Sequence, residues 1–184
     1  MNYYGGKEMA ASFRTVRKNT IQIATDIPEG KYDFKATPDT RTIAQTLAHI
    51  AYGSDFALHI HGNKIADLSK VNFPELFQKI FAEESKPRTK AELIALLQAQ
   101  GDKFASYLEG LPESFLAETM AMPPGATPAS RTRFDMLLSA KEHEMHHRGQ
   151  LMVLERMAGV VPHLTRQREA QQAARAQAAQ AQKT

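Results

Sequence analysis

Histidines are concentrated in the segment KEHEMHHRGQL at residues 141–151. His143 and His147 lie four residues apart, which on a helix puts both imidazoles on one face, where they can aim at one metal ion. The same residues spell H-E-x-x-H, the motif through which zinc proteases hold their metal. The residue types therefore predict a metal site, and other parts of the sequence distinguish between the possible kinds of site.

The two histidines interrupt an apolar stripe of the helix that carries them. The stripe steps by three and four through Met136, Ala140, His143, His147, Leu151, Leu154 and Ala158. This spacing is typical of a buried bundle seam, where two stacked imidazoles cannot both be charged and each ring nitrogen needs a partner. A shared divalent cation meets both needs; the alternative is a pair of core histidines bonded to backbone or neighbouring side chains. Glu144 and His146 lie off the stripe, and we expect them on the flanks of the helix.

Three kinds of metal site fit different parts of this pattern. A zinc protease needs Glu144 as general base and a third ligand beyond the helix, but RGQ follows His147 where the metzincin motif requires x-x-G. Glu169, the remaining candidate for a protease ligand, lies in a low-complexity tail. A ferritin-like di-iron centre needs two Glu-x-x-His motifs, and the sequence contains one. A mononuclear site completed by a histidine of another helix fits the pattern best.

An earlier predicted helix offers three candidates for the third ligand, His49, His59 and His61. Spacing alone does not choose among them. His49 lies well inside the helix between apolar neighbours, so we expect it to be buried. His59 and His61 lie next to Gly62, a predicted helix end, and we expect both to be exposed.

Helical spacing of apolar residues in four long segments predicts an all-α fold, a four-helix bundle with long crossover connections. The predicted helices cover about residues 6–27, 41–62, 90–109 and 130–159. Asp39 or Thr40 is the expected cap of the second helix, and Thr89-x-x-Glu92 is a capping box for the third. The candidate crossovers are residues 63–88 and 111–130, in which we expect a short helix at FPELFQKIF and a short strand near AETMAM.

Composition limits the classes of function. The chain of 184 residues is long enough for one domain, which we place at residues 1–163, and it contains no cysteine, which excludes thiolate zinc sites and cysteine nucleophiles. The net charge of +3 comes from the Ala/Gln-rich tail at residues 164–184, so nucleic-acid binding loses its electrostatic support. We expect this tail to be a frayed helix or disordered. The sequence has no secretory signal and no apolar run of membrane-spanning length, which favours a cytoplasmic protein.

The sequence resembles the DinB family of damage-inducible proteins, which is related to the bacillithiol and mycothiol transferases. The similarity lies in RTIAQTLAHI, which carries His49, and in EHEMHHRGQL, which carries His143 and His147; with the opening segment it covers about residues 5–160. The resemblance implies an up-down-down-up four-helix bundle, often a homodimer. It also implies one divalent metal ion, most often zinc or nickel, held by His49, His143 and His147.

A three-histidine site leaves coordination positions open, which is typical of a catalytic metal. Some relatives activate a low-molecular-weight thiol for transfer to an electrophile, and since the chain has no cysteine, such a thiol would be a cosubstrate. We therefore expect a metal-dependent thiol S-transferase or hydrolase acting on a small molecule. The alternative is a non-catalytic stress-response or interaction protein in which the metal only stabilises the bundle.

Three residues near the predicted site carry weaker expectations. Gln150 lies at the edge of the histidine stripe and can orient a bound water or lie at a helix interface. Gly149 is expected to let a neighbouring helix approach closely, because glycine is costly inside a helix. Tyr52, one turn after His49, can donate a proton at the site or pack in the core.

Overall fold

A computed structural model describes residues 4–181 of the chain. Over this range the chain forms seven α-helices, two single 3-10 turns and one two-stranded sheet. In chain order the elements are α1 (Gly6–Asp26), α2 (Ile43–Gly62), α3 (Phe73–Glu84), α4 (Lys90–Glu109), α5 (Glu113–Leu116), β1 (Thr119–Ala121), β2 (Ser130–Thr132), α6 (Arg133–Met157) and α7 (His163–Ala181). The predicted all-α fold is confirmed, with α1, α2, α4 and α6 as the bundle helices.

Side-chain contacts fix the relative direction of α1 and α4. Arg14, early in α1, pairs with Glu109 at the end of α4 at 2.6 Å. Lys90, at the start of α4, donates a hydrogen bond to the carbonyl of Ile27, just beyond α1. The two helices are therefore antiparallel.

The histidine-bearing helices complete the topology. Tyr4, just before α1, packs edge-on against Phe134 at the start of α6, and Thr20 bonds Glu144 further along, so α1 and α6 are parallel. Helix α2 is antiparallel to α6. His49 of α2 contacts His147 of α6, whereas Gly53, further along α2, faces His143, which comes earlier in α6. This order is the up-down-down-up arrangement, with α3 in one crossover and α5 with the hairpin in the other.

The core consists of two main apolar clusters, one toward each end of the bundle, and a smaller third cluster of Ile60, Leu68 and Met120. One main cluster surrounds Ile23, Leu47 and Leu97, and the other surrounds Phe13 and Phe104, whose rings meet edge-on at 4.9 Å between centroids. Burial of these side chains supplies most of the driving force for packing the helices. Along α6 the histidines lie between the two main clusters, which hold the helix on both sides of them.

Hydrogen bonds from capping side chains define where the helices begin. The starts of α2 and α6 differ from the predicted ones. Thr42, not Asp39 or Thr40, caps α2, accepting a bond from the Gln45 amide at 3.1 Å. Helix α6 begins at Arg133 because the residues before it pair with β1, which leaves Thr132 as the cap. The predicted capping box of α4, Thr89 with Glu92, is confirmed, as are the short helix α3 and the strand β1.

The tail forms a continuous helix, α7, whose first turn packs against the bundle. The His163 ring lies 3.1 Å from the Asn19 side chain, and Arg166 pairs with Asp26 at 2.6 Å. Beyond Thr165 the described residues of α7 are exposed. The predicted boundary between residues 163 and 164 falls inside this first turn, and the last three residues of the predicted tail lie outside the described range. No helix within residues 4–181 is both long and apolar enough to cross a membrane.

Candidate metal centre

Three imidazoles converge between α2 and α6. The Nε2 atoms of His49, His143 and His147 lie 3.1 Å from one another in all three pairs. His49 comes from the middle of α2, and the other two come from successive turns of α6. Among the described residues, these are the three histidine or acidic side chains grouped closely enough to hold a metal ion.

The outer nitrogens of two of these rings are bonded to acceptors, which fixes where the inner lone pairs point. The Nδ1 atom of His49 lies 2.8 Å from a carboxylate oxygen of Glu84, and that of His147 lies 2.8 Å from the amide oxygen of Gln150. The Gln150 amide nitrogen in turn faces His146, which supports this orientation of the amide. A carboxylate or amide oxygen only accepts, so both Nδ1 atoms carry a proton, and in the neutral form of each ring the Nε2 atom carries a lone pair.

This arrangement fits a divalent metal ion. Two bare lone pairs 3.1 Å apart repel each other, and the ring of His143 can donate a proton to only one of them. With metal–nitrogen bonds of about 2.0–2.1 Å, ligands spread tetrahedrally lie about 3.3 Å apart and ligands at right angles about 2.9 Å apart. The observed spacing lies between these values, so the three nitrogens can serve either geometry.

Burial favours the neutral imidazoles that metal ions bind. It lowers the pKa of His143 to about 4, and the nearby rings of His147 and His49 add to the effect. Burial also lowers the pKa of His147, against the opposing hydrogen bond to Gln150. Near pH 7 these two rings are therefore ready to act as ligands without first losing a proton.

Gly53 lets the ring of His143 lie directly against α2. A Cβ atom at this position would come within 2.8 Å of the His143 Nδ1 atom and 3.0 Å of its Cε1 atom. Contacts this short do not occur between real side chains, so any larger residue would displace the ring. The close approach that was expected at Gly149 is absent: no atom of another element in residues 4–181 lies within 4 Å of where its Cβ would be. That expectation was wrong, because Gly149 lies on the exposed face of α6.

Glu144, expected on the helix flank, is buried at 2% exposure and faces away from the histidines. Its carboxylate accepts bonds from the Arg17 Nε atom at 2.9 and 3.1 Å and from the Thr20 hydroxyl at 2.7 Å. Arg17 also donates to the carbonyls of Leu97 on α4 and Ile50 on α2. The ion pair thus joins all four bundle helices, and Glu144 is not available as the general base of a zinc protease. The H-E-x-x-H string is a pair of candidate ligands with a structural glutamate inside it.

A cavity of about 350 Å³ opens beside the histidines and includes His49 and His143 in its wall. Its other walls come from α2, α3, α6 and β2, and most of the side chains in them are apolar or small. A concave, mainly apolar space next to a few convergent polar groups is typical of a small-molecule site.

Among the remaining residues singled out in the sequence, His59 agrees with expectation and His61 does not. His59 is exposed as expected, but His61 is 1% exposed and lies 3.4 Å from Arg133, and burial with this cation lowers its pKa to about 4. His61 is buried because Arg133 and the hairpin cover the end of α2.

The hydroxyl of Tyr52 bonds Arg88 at 3.1 Å rather than a histidine. Sequence reasoning missed Glu84, since nothing in a single sequence pairs it with a histidine 35 residues away.

Fold and site together define a class of protein: up-down-down-up helical bundles in which the second and fourth bundle helices bring three imidazoles together. The chain belongs to the DinB superfamily, which it matches over residues 12–151. Among curated proteins, none matches the chain.

Solved structures show the same fold. A DinB-like protein from Bacillus subtilis has a TM-score of 0.61 at 22% identity, over 83% of this chain and 92% of that one. One from Bacillus cereus has a TM-score of 0.63 at 17% identity, over 84% and 93%. YfiT from Bacillus subtilis, described as a probable metal-dependent hydrolase with an unusual four-helix bundle topology, has a TM-score of 0.64 at 15% identity, over 87% and 91%.

Proposed function

We propose that this protein is a metal-dependent enzyme, a hydrolase or a thiol S-transferase, whose divalent ion is held by His49, His143 and His147. The observation that carries the proposal is the triangle of Nε2 atoms 3.1 Å apart beside an apolar cavity. Imidazole ligands suit both zinc and nickel. A divalent ion supplies Lewis acidity, which polarises a carbonyl group or favours deprotonation of a water or thiol.

The protein's own residues hold and orient the ligands. Glu84 and Gln150 fix the tautomer and the ring plane of His49 and His147, and such outer partners typically raise metal affinity by about 10- to 100-fold. Gly53 sets the position of His143 against α2. The cavity binds the substrate and excludes water from one side of the site.

Three protein ligands support a catalytic role over a purely structural one. Structural zinc sites are closed by four protein ligands, whereas catalytic sites keep a position for water or substrate. Hydrolysis draws further support from YfiT, which is described as a probable metal-dependent hydrolase. Thiol transfer draws support from the resemblance to the bacillithiol and mycothiol transferases, with the thiol as a free cosubstrate.

Activity of the metal-loaded protein tests the proposal. Protein purified without a nickel column and then loaded with zinc or nickel is assayed for aryl ester hydrolysis and for conjugation of small thiols to an electrophilic dye. We expect the wild type to turn over substrate in one of the two assays, and we expect His49→Ala to abolish this activity. The matched control is His59→Ala, an exposed histidine of the same helix, which should leave the rate unchanged. A fully metal-loaded protein that is inactive in both assays, and that melts at a lower temperature without its metal, would support the non-catalytic alternative.

A further inference from the structure

The cavity beside the histidines has an unusual wall. Helix α3 contributes Phe77, Ile80, Phe81 and Glu84 to it, yet none of the residues from 73 to 84 is fully buried. Phe77 and Phe81 remain 39% and 49% exposed. Apolar side chains left open around a concavity mark a binding surface more often than a structural contact.

The aromatic rings of this wall are nearly parallel. Phe56 of α2 lies 5.9 Å from Phe77 between centroids with an angle of 9° between the planes, and Phe77 lies 6.0 Å from Phe81 at 17°. Phe73 stacks on both neighbours, 6.1 Å from Phe77 at 23° and 6.2 Å from Phe56 at 21°. Offset stacking at such distances is a preferred arrangement of aromatic pairs, and the cluster gives the cavity an aromatic wall against which another flat ring can pack.

The charged side chains in the wall already have partners. Arg131 pairs with Asp135 at 2.5 Å and bonds Ser139, and Glu84 accepts a hydrogen bond from His49. A charged group of a ligand would therefore have to displace one of these partners or enter a mainly apolar space, and both are costly. The cavity suits an uncharged group.

We propose that the cavity binds an uncharged aromatic group of the substrate, packed against Phe56, Phe77 and Phe81, with the reacting group directed to His49 and His143. A volume of about 350 Å³ is at the small end of ligand sites and accommodates one or two rings. This inference rests on the proposed function, because it assigns the substrate class of the same site.

Binding of hydroxamic acids to the zinc-loaded protein separates the cavity from the metal. Hydroxamates chelate zinc through two oxygen atoms, so acetohydroxamic acid reports the open metal site alone. Benzohydroxamic acid adds a neutral ring, and 4-carboxybenzohydroxamic acid adds a charge to that ring. By calorimetric titration we expect benzohydroxamic acid to bind about tenfold more tightly than acetohydroxamic acid, and the carboxylated compound to lose most of this gain.

Two matched variants locate the effect. Phe77→Ala removes a ring from the cavity wall and should remove most of the aromatic gain, while the affinity for acetohydroxamic acid stays the same. Phe73→Ala removes a ring of α3 that stacks on Phe56 and Phe77 without lining the cavity, and should keep more of the gain than Phe77→Ala does. Unchanged acetohydroxamic acid binding in both variants shows that the metal site is intact.

The outcomes distinguish the two proposals. Equal affinity of the zinc-loaded protein for acetohydroxamic and benzohydroxamic acid would overturn the aromatic cavity and leave the open metal site standing. An aromatic gain that persists in Phe77→Ala would overturn the assigned wall. If neither compound binds although zinc is present at one ion per chain, the proposed open metal site itself fails, and the inference fails with it.

Discussion

Gly53 makes the sharpest prediction at the scale of single residues. Gly53→Ala should weaken metal binding about tenfold or more, because the added methyl group would come within 2.8 Å of the His143 ring and displace a ligand. The protein should stay folded, since alanine is favoured over glycine inside a helix by about 1 kcal/mol. Competition with a chromogenic zinc chelator measures the affinity, and circular dichroism checks the fold.

Gly149→Ala is the matched control. This glycine also lies inside a helix of the site, but it has open space around it, so the variant should gain about 1 kcal/mol of stability and bind metal as the wild type does. Equal metal affinity of Gly53→Ala and the wild type would show that the close approach of α2 does not position His143.

The candidate ligands were easier to predict from the sequence than the residues that position them. His143 and His147 stand out because two imidazoles share one helical face, and the resemblance to the DinB family added His49. Gly53 and Glu84 carry no such signal, because each acts on a ring of another helix and its role depends on tertiary packing. Gly149 was misjudged for the same reason: a glycine in a helix does not reveal which face is covered.

Between elements, the buried pair of Arg17 and Glu144 is the main polar connection. Removing one partner leaves an uncompensated buried charge, and Arg17→Met or Glu144→Leu alone should each cost about 3–5 kcal/mol of unfolding free energy. The double variant replaces the pair with apolar side chains and should lose much less than the sum of the two. Urea denaturation of all four proteins measures this coupling; strictly additive losses would contradict a direct buried interaction.

The helices themselves were predictable because their apolar spacing is local. The boundaries failed where a neighbouring element intervened, as at the start of α6, where pairing with β1 turns residues 130–132 into a strand. The burial of Glu144 could not be predicted, since its partner Arg17 lies 127 positions away. Glu144 follows His143 directly and lies off the histidine stripe, so it was expected on the flank of the helix, but α1 covers that face of α6.

At the scale of the whole molecule, the junction between α6, α1 and α7 carries a pH dependence. Glu155 is fully buried, and neither of its carboxylate oxygens has a hydrogen-bond partner among the described residues. Burial, with a smaller contribution from the charge of Asp26, raises the pKa of Glu155 from 4.5 to about 7. The carboxyl group therefore stays protonated in the folded protein at pH values where it is ionised in the unfolded chain.

The sign of the effect follows from this difference. Below about pH 4.5 both states hold the proton and stability is unaffected; as the pH rises to about 7, only the folded state retains it, and unfolding becomes easier. Glu155→Gln should match the wild type at pH 4.5 and be more stable at pH 8, by up to about 3 kcal/mol. Glu169→Gln, an exposed tail residue, is the control and should show no such trend. A constant stability difference between Glu155→Gln and the wild type across this pH range, measured by thermal unfolding, would contradict the assignment.

The metal content of the purified protein is the most direct test of the three-histidine site. Wild-type protein and the variants His49→Ala, His147→Ala and the control His59→Ala are purified without a nickel column. Their metal content is measured by elemental analysis, and circular dichroism confirms their helicity. We expect close to one divalent ion per chain in the wild type and in His59→Ala, and loss of the ion in the other two variants with the helices intact. A wild type that neither retains nor takes up zinc or nickel would return the three histidines to core packing and remove the chemical basis of the proposed enzyme.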